Sequence, residues 1–259
     1  MYFGLAFYQA HDIREAPEHV VAALESLIGR FVPQEVRFQG MFTGTDKFSR
    51  LTKPSVKAIR QLEVDLRGGV YSDLLAFVGL RSATVATLGI GVPRTDGETV
   101  NVEYVASCEE TGDDSPDVRL GFALRDIFEP RYGISLWGAS HNDVSSELSG
   151  VPIAPWDQPL PEEEVNRLSK IQRLQKLFGT YARGDGWGTF LGPHLVKEMG
   201  GLAQMQQDAP VSCVDPLPGG GAYLQLSPRP LLVRTEGYRQ AVKRLGIYLR
   251  PVLPQELRG

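Results

Sequence analysis

Apolar residues recur along the chain with two periods, and the alternation between them sets out an α+β protein. Tyr2 to Tyr8 is a short aromatic and aliphatic run of strand length. After it, Pro17 suits a first helical turn, and Val20, Val21, Leu24, Leu27 and Ile28 fall down one face of a helix that should end near Gly29. Val36 to Met41 alternates as a strand, and the basic stretch from Thr43 to Lys53 reads as an exposed loop. Pro54 opens a further helix through Val56, Ile59, Leu62 and Leu66, closed by Gly68 and Gly69. Leu74 to Val92 is almost uncharged, and Asp96-Gly97 supplies a tight-turn signal, so a hairpin is expected across residues 84–107.

Val118, Leu120, Phe122, Leu124, Ile127 and Phe128 then predict a buried helix, followed by a strand around Ile134 to Trp137. Pro152, Pro155, Pro159 and Pro161 crowd the segment from Gly150 to Pro161, which rules out regular helix or central strand there. That segment is read as a linker between an N-terminal half, residues 1–150, and a C-terminal half, residues 151–259, within one compact body or one continuous domain. The second half begins with an apolar stripe from Val165 through Leu168, Ile171, Leu174 and Phe178 to Tyr181, with Glu162 to Glu164 at its N-terminal end and a stop at Gly184. Short helical turns through Leu195 and Met199 and through Leu202 and Met205 come next. Val211 to Val214 and Ala222 to Leu226 then flank DPLPGGG as an antiparallel pair, and a last helix runs from Tyr238 to Leu249. The expected fold is therefore two sheet-and-helix halves with largely antiparallel strands.

Composition fits a folded chain rather than a disordered one: 42% of the 259 residues are hydrophobic and 22% charged. The net charge of −4 offers nucleic acid no attraction and suits a basic partner better. The first residues lack a signal-peptide pattern and no apolar run reaches the roughly 18 residues of a membrane span, so a cytoplasmic protein without membrane contact is expected. Cys108 and Cys213 lie far apart and outside any CxxC pattern, which favours two reduced, buried thiols.

No catalytic set assembles from the residues. His11, His19, His141 and His194 are dispersed, and neither His11-Asp12 nor His141-Asn142-Asp143 completes a metal shell, so no metal or other cofactor is expected. Ser140, His141 and Asp143 are the residue types of a triad, but triad members normally come from separate elements. Gly219 to Gly221 precedes a strand and lacks a phosphate-loop pattern, so it reads as a hairpin loop. The most function-like feature is the acidic run Glu109, Glu110, Asp113, Asp114 and Asp117: a solvated loop on the plainest reading, a docking patch for a basic protein on the sharper one. Trp137 and Trp187 are each anchors beside such a patch or members of the core, and the glycines around Trp187 favour the core.

The run GDGWGTFLGPHLVKEMGGL, Gly184 to Leu202, carries a Gly-Trp pair at Gly186-Trp187 and a Phe-Leu step at Phe190-Leu191. With AYLQLSPRPL at Ala222 to Leu231 and the helix beginning near Tyr238, it resembles the C-terminal portion of bacterial type VI immunity proteins and of the immunity protein 52 family of polymorphic toxin systems. Pro130 to Ile134 extends the likeness into the first half. The resemblance implies a non-enzymatic, cytoplasmic protein that binds a cognate effector toxin domain, commonly a nuclease, and neutralises it stoichiometrically. Two other classes stay open on the residues alone. One is a small-molecule enzyme whose site gathers dispersed histidines and carboxylates; the other is an adaptor subunit of a secretion apparatus. Homo-oligomerisation is likewise open.

Overall fold

A computed structural model describes residues 1–10, 15–80, 83–91, 100–109, 115–154 and 159–258. Among them are nine strands: β1 (Tyr2–Ala10), β2 (Val36–Phe42), β3 (Tyr71–Leu80), β4 (Ala83–Gly91), β5 (Val100–Ser107), β6 (Tyr132–Gly138), β7 (Gly188–Leu191), β8 (Cys213–Leu217) and β9 (Gly221–Gln225). All nine join one sheet in the order β2-β3-β4-β5-β1-β6-β7-β9-β8. Every neighbouring pair is antiparallel. The α+β class and the antiparallel pairing expected from the periodicity are both present.

The first strand in sequence is the middle strand in space. Leu5 sits opposite Tyr104 of β5 on one side and Ser135 of β6 on the other. Its residues Phe3 to Tyr8 are all buried, which fits a strand that reads as continuously apolar rather than alternating. The proline-rich stretch at 150–161 connects two parts of a single sheet, since β6 before it pairs directly with β7 after it, from Tyr132↔Leu191 to Ser135↔Gly188.

Helices cover both faces. The eight are α1 (Pro17–Arg30), α2 (Val56–Arg67), α3 (Pro116–Phe128), α4 (His141–Ser149), α5 (Glu162–Leu174), α6 (Pro193–Glu198), α7 (Leu202–Asp208) and α8 (Glu236–Tyr248). In α3, Gly121 lies against Phe3 and Leu5, whereas α4 sets Val144 and Leu148 against the next residue of β1, Gly4. Successive strand residues point to opposite faces, so α3 and α4 lie on opposite sides of the sheet.

Three elements depart from the sequence reading. Residues His141 to Ser149 form α4, a helix that the sequence reading did not assign. Ser140 accepts from the Asp143 backbone N–H and the Asp143 side chain accepts from the Ser140 N–H, a complete capping box. The GTFL segment is β7, fully buried. The long helix of the second half ends at Leu174 and tightens into a 3₁₀ turn over Gln175–Leu177, well before Gly184. From there the chain turns inward, burying Phe178 and Arg183, with Gly179 and Gly184 at φ of 108° and 85°.

Gly4 is required by close approach rather than by its torsion angles. A β-carbon there would stand 2.0 Å from Val144 Cγ1. Gly4→Ala is expected to cost about 1–3 kcal/mol in urea unfolding, and Val144→Ala in the same chain to recover part of that loss. An unchanged midpoint for the single variant would contradict this packing.

Candidate functional site

Of the acidic run, the described residues Glu109 and Asp117 differ in burial. Glu109 is exposed just beyond β5. Glu110, Asp113 and Asp114 lie outside the described residues. Asp117, which the docking reading places on the surface, is 1% exposed. Its carboxylate accepts from Tyr104 Oη at 2.6 Å, Arg30 Nη2 at 3.1 Å and Cys108 Sγ at 3.2 Å. It tethers the start of α3 to β5 and α1. Ser115, Pro116 and Asp117 stand at N-cap, first and second positions of α3, so the sequence already held a helix-start signal there. Burial, together with Asp117, pushes the Cys108 thiol up to about 12, leaving it protonated and inert. Cys213, at the start of β8, is half-buried.

Gly186, Trp187, Phe190 and Leu191 are all internal. Trp187 meets Trp137 edge to face at 6.0 Å, both 0% exposed, and its Nε1 donates to the Arg229 carbonyl at 3.3 Å. Neither tryptophan is a surface anchor. Phe190 packs against Phe7, Phe122 and Tyr223, so this motif fixes the scaffold.

Among the described residues, histidines and triad types do not converge. Ser140 donates to Asp143 at 2.7 Å within the capping box, while His141 Nδ1 sits 3.2 Å from Ser145 Oγ. Burial lowers the His141 pKa. His194 Nε2 bonds the Gly179 carbonyl at 2.7 Å, and His11 lies outside the described residues. Among the described residues no cluster of three or more His, Cys, Asp or Glu is arranged to hold a metal ion. No described helix is long and apolar enough to cross a membrane.

Charge does converge where the C-terminal part of the chain meets α4. Arg183 is 0% exposed in its side chain, and its Nε lies 2.6 Å from Asp185 Oδ1. Its Nη1 donates to the Leu148 carbonyl at 3.2 Å and to Tyr8 Oη at 3.4 Å, and its Nη2 to the Glu147 carbonyl. Burial works against this charge, but Asp185, Tyr8 and Glu147 outweigh it and hold the guanidinium pKa above its ordinary value. Arg167 reaches Glu147 Oε1 at 2.5 Å and grips Glu164 at 2.8 and 3.0 Å. Arg234 meets Asp143 at 2.5 Å. The hydrogen bond from Arg167 lowers the pKa of Glu164. Each carboxylate of this network is spoken for within it, so its work is to join α4, α5 and the segments before β7 and α8.

A cleft of about 640 Å³ opens over one side of the network, between α5, residues 183–185 and the end of α8. Among the described residues, six cationic side chains line it, Arg167, Lys170, Arg183, Lys243, Arg250 and Arg258, with Asp185 the one carboxylate. Arg167 and Arg183 are committed to the network, and Arg258 donates to the Leu253 and Pro251 carbonyls. Among the described residues, no ion pair or side-chain hydrogen bond engages Lys170, Lys243 or Arg250. Val242, Ile247, Leu253 and Leu257 supply apolar walls. Nothing in the sequence reading singled out this place, because its cations come from separate elements and no local charge run marks it. A second, smaller cleft of about 260 Å³ lies on the sheet beside Asp73, Asn101 and Glu103, and burial raises the Glu103 pKa. Among the described residues no histidine lines either cleft.

In overall shape the chain is similar to a solved structure described as Pseudomonas aeruginosa T6SS protein PA0821. The TM-score is 0.62 at 12% sequence identity, covering 97% of this chain and 76% of the other. At that identity the likeness is one of fold. No family model matches the chain, and no curated protein matches it in sequence.

The buried network makes two predictions. Arg183→Met removes the nearest cation of Asp185 and the donor to the Glu147 and Leu148 carbonyls and should cost about 3–5 kcal/mol, whereas Arg234→Ala, at the more exposed edge, should cost about 1 kcal/mol or less. Equal losses in urea titrations would contradict this ranking. For Glu164 the folded-state pKa is depressed, so its contribution is complete above the ordinary glutamate range and is lost as pH falls through the lower folded value. Glu164→Gln should therefore lower stability near neutrality and flatten its fall in acid; an acid limb identical to that of the parent would refute the assignment.

Proposed function

We propose that this chain acts by binding another protein, as an immunity protein of a type VI secretion setting that neutralises a cognate effector toxin by stoichiometric contact. The observation that carries the reading is the shared fold along 97% of the chain with a protein described as belonging to the T6SS. The resemblance of the Gly186-Trp187 and Phe190-Leu191 segment to type VI immunity proteins points the same way.

Physical features are compatible with a binding role. The clustered carboxylates at Asp143, Glu147, Glu164 and Asp185 are held in ion pairs with arginines rather than left open to a substrate. A large cleft with unpaired cations and apolar walls faces outward, a surface on which a protein partner can gain both charge pairing and apolar burial. The proposed toxin is a nuclease acting in the cytoplasm, and the proposed inhibition is either occlusion of its active site or a block of its assembly.

Co-expression decides the matter. Cells producing the toxin encoded next to this chain's gene should survive when the chain is supplied in at least equal amount, and the two proteins should co-elute as a complex of equal stoichiometry. Death of the cells together with separate elution of the two proteins would overturn the proposal.

A further inference from the structure

Ile247 is 67% exposed on α8, with Lys243 one turn before it and Arg250 just beyond the helix end. The four-residue spacing puts Lys243 and Ile247 on one face of α8, and Arg250 lines the same cleft. Lys170 of α5 lines the same cleft from the other side, and half-buried Val242 and Leu257 extend its apolar wall. Asp185, the one carboxylate of the lining among the described residues, is already engaged by Arg183 at 2.6 Å and approached by Arg167 at 3.7 Å. The cleft is therefore a locally positive, partly apolar surface on a chain whose net charge is −4.

We infer that the α5–α8 cleft is a docking site for an acidic segment of a partner protein, with an apolar side chain seated on Ile247 and flanking carboxylates paired with Lys170, Lys243 and Arg250. The toxin as that partner rests on the function proposed above; the chemistry of the segment rests on the cleft alone. Charge complementarity selects carboxylates, which pair with lysine and arginine at a desolvated rim. The apolar centre selects a polypeptide, because a phosphate backbone would leave Ile247 uncovered and would also meet the repulsion of an acidic chain. A free small anion would satisfy the cations but not the exposed apolar wall. This assignment reverses the sign expected from overall charge: the partner surface met here is acidic, even where the partner as a whole is basic.

Two variants test it, K170E/K243E/R250E and Ile247→Asp, against K57E/R60E on the exposed face of α2 as a control. None of the substituted side chains is buried, so urea midpoints close to the parent's should confirm folding for all three. Titrated calorimetrically with the toxin encoded next to this chain's gene, the triple variant should bind on the order of 100-fold more weakly, as like charges replace complementary ones. Ile247→Asp should also weaken binding, the control should bind like the parent, and added salt should weaken the parent more than the triple variant. Parent-like affinity in both cleft variants would overturn the inference while leaving the immunity reading intact. If the parent itself does not bind the toxin, that reading falls and the cleft is judged with a synthetic peptide of Glu-Glu-Leu repeats and a single-stranded oligonucleotide of equal charge. Binding of the peptide that is lost in the triple variant would support the inference; preference for the oligonucleotide, or no binding of the peptide, would overturn it.

Discussion

Arg183 carries a permanent positive charge in a position that water does not reach, and much of the second half of the chain is arranged around keeping it there. Asp185 is two residues away on the same turn, while Glu147 and the carbonyls of Glu147 and Leu148 come from the C-terminal end of α4. That end of a helix carries partial negative charge, so α4 offers both a carboxylate and its terminal carbonyls to one guanidinium. Tyr8 adds the end of the central strand. One side chain thus ties together β1, α4 and the approach to β7, the places where the short four-residue pairing of β6 with β7 would otherwise hold the sheet's far strands to the rest.

This constraint explains why the chain from Gly179 to Gly188 is so rich in glycine. Gly179 and Gly184 adopt positive φ, and Gly186 and Gly188 lie where a β-carbon would collide with the Gly188 carbonyl and with Ser135 and Tyr223. The turn has to pass close to β6 while delivering Arg183 and Asp185 inward and Trp187 against Trp137. The Gly-Trp and Phe-Leu steps therefore mark a scaffold, and a fold shared at 12% identity is what such a scaffold can preserve while the surface diverges.

Much of the architecture was legible because it depends on local pattern. The buried faces of α1, α2, α3 and α8 follow helical spacing, and the hairpins β4–β5 and β8–β9 follow alternation with turn residues between. What stayed hidden depends on contacts between distant residues. α4 is short and polar on its open side, and its start signal at Ser140 and Asp143 was masked by the resemblance of those residues to a triad. β7 is four residues long and flanked by glycines, too brief for a period to declare itself. The single sheet was obscured by its long-range order, in which the first strand pairs with the fifth and sixth. Asp117 looked like one member of an acidic run, whereas its partners Arg30 and Tyr104 are remote in sequence and only folding brings them to it.

Charge is distributed by the same logic, and this bears on the proposed binding. The carboxylates near the junction of α4 and α5 are consumed in pairing arginines, so they contribute little field outward at that place. Lys170, Lys243 and Arg250 lie just beyond the reach of those carboxylates and keep their charge for the solvent. A buried network that neutralises its own acids beside cations it does not neutralise turns part of an acidic protein positive. Lys170 stands on α5, and Lys243 and Ile247 on α8, so these parts of the cleft are carried on helices, which would limit the ordering cost of the proposed binding. Overall charge therefore describes how this molecule meets ions at long range, while recognition at contact is set by which side chains the fold has left unpaired.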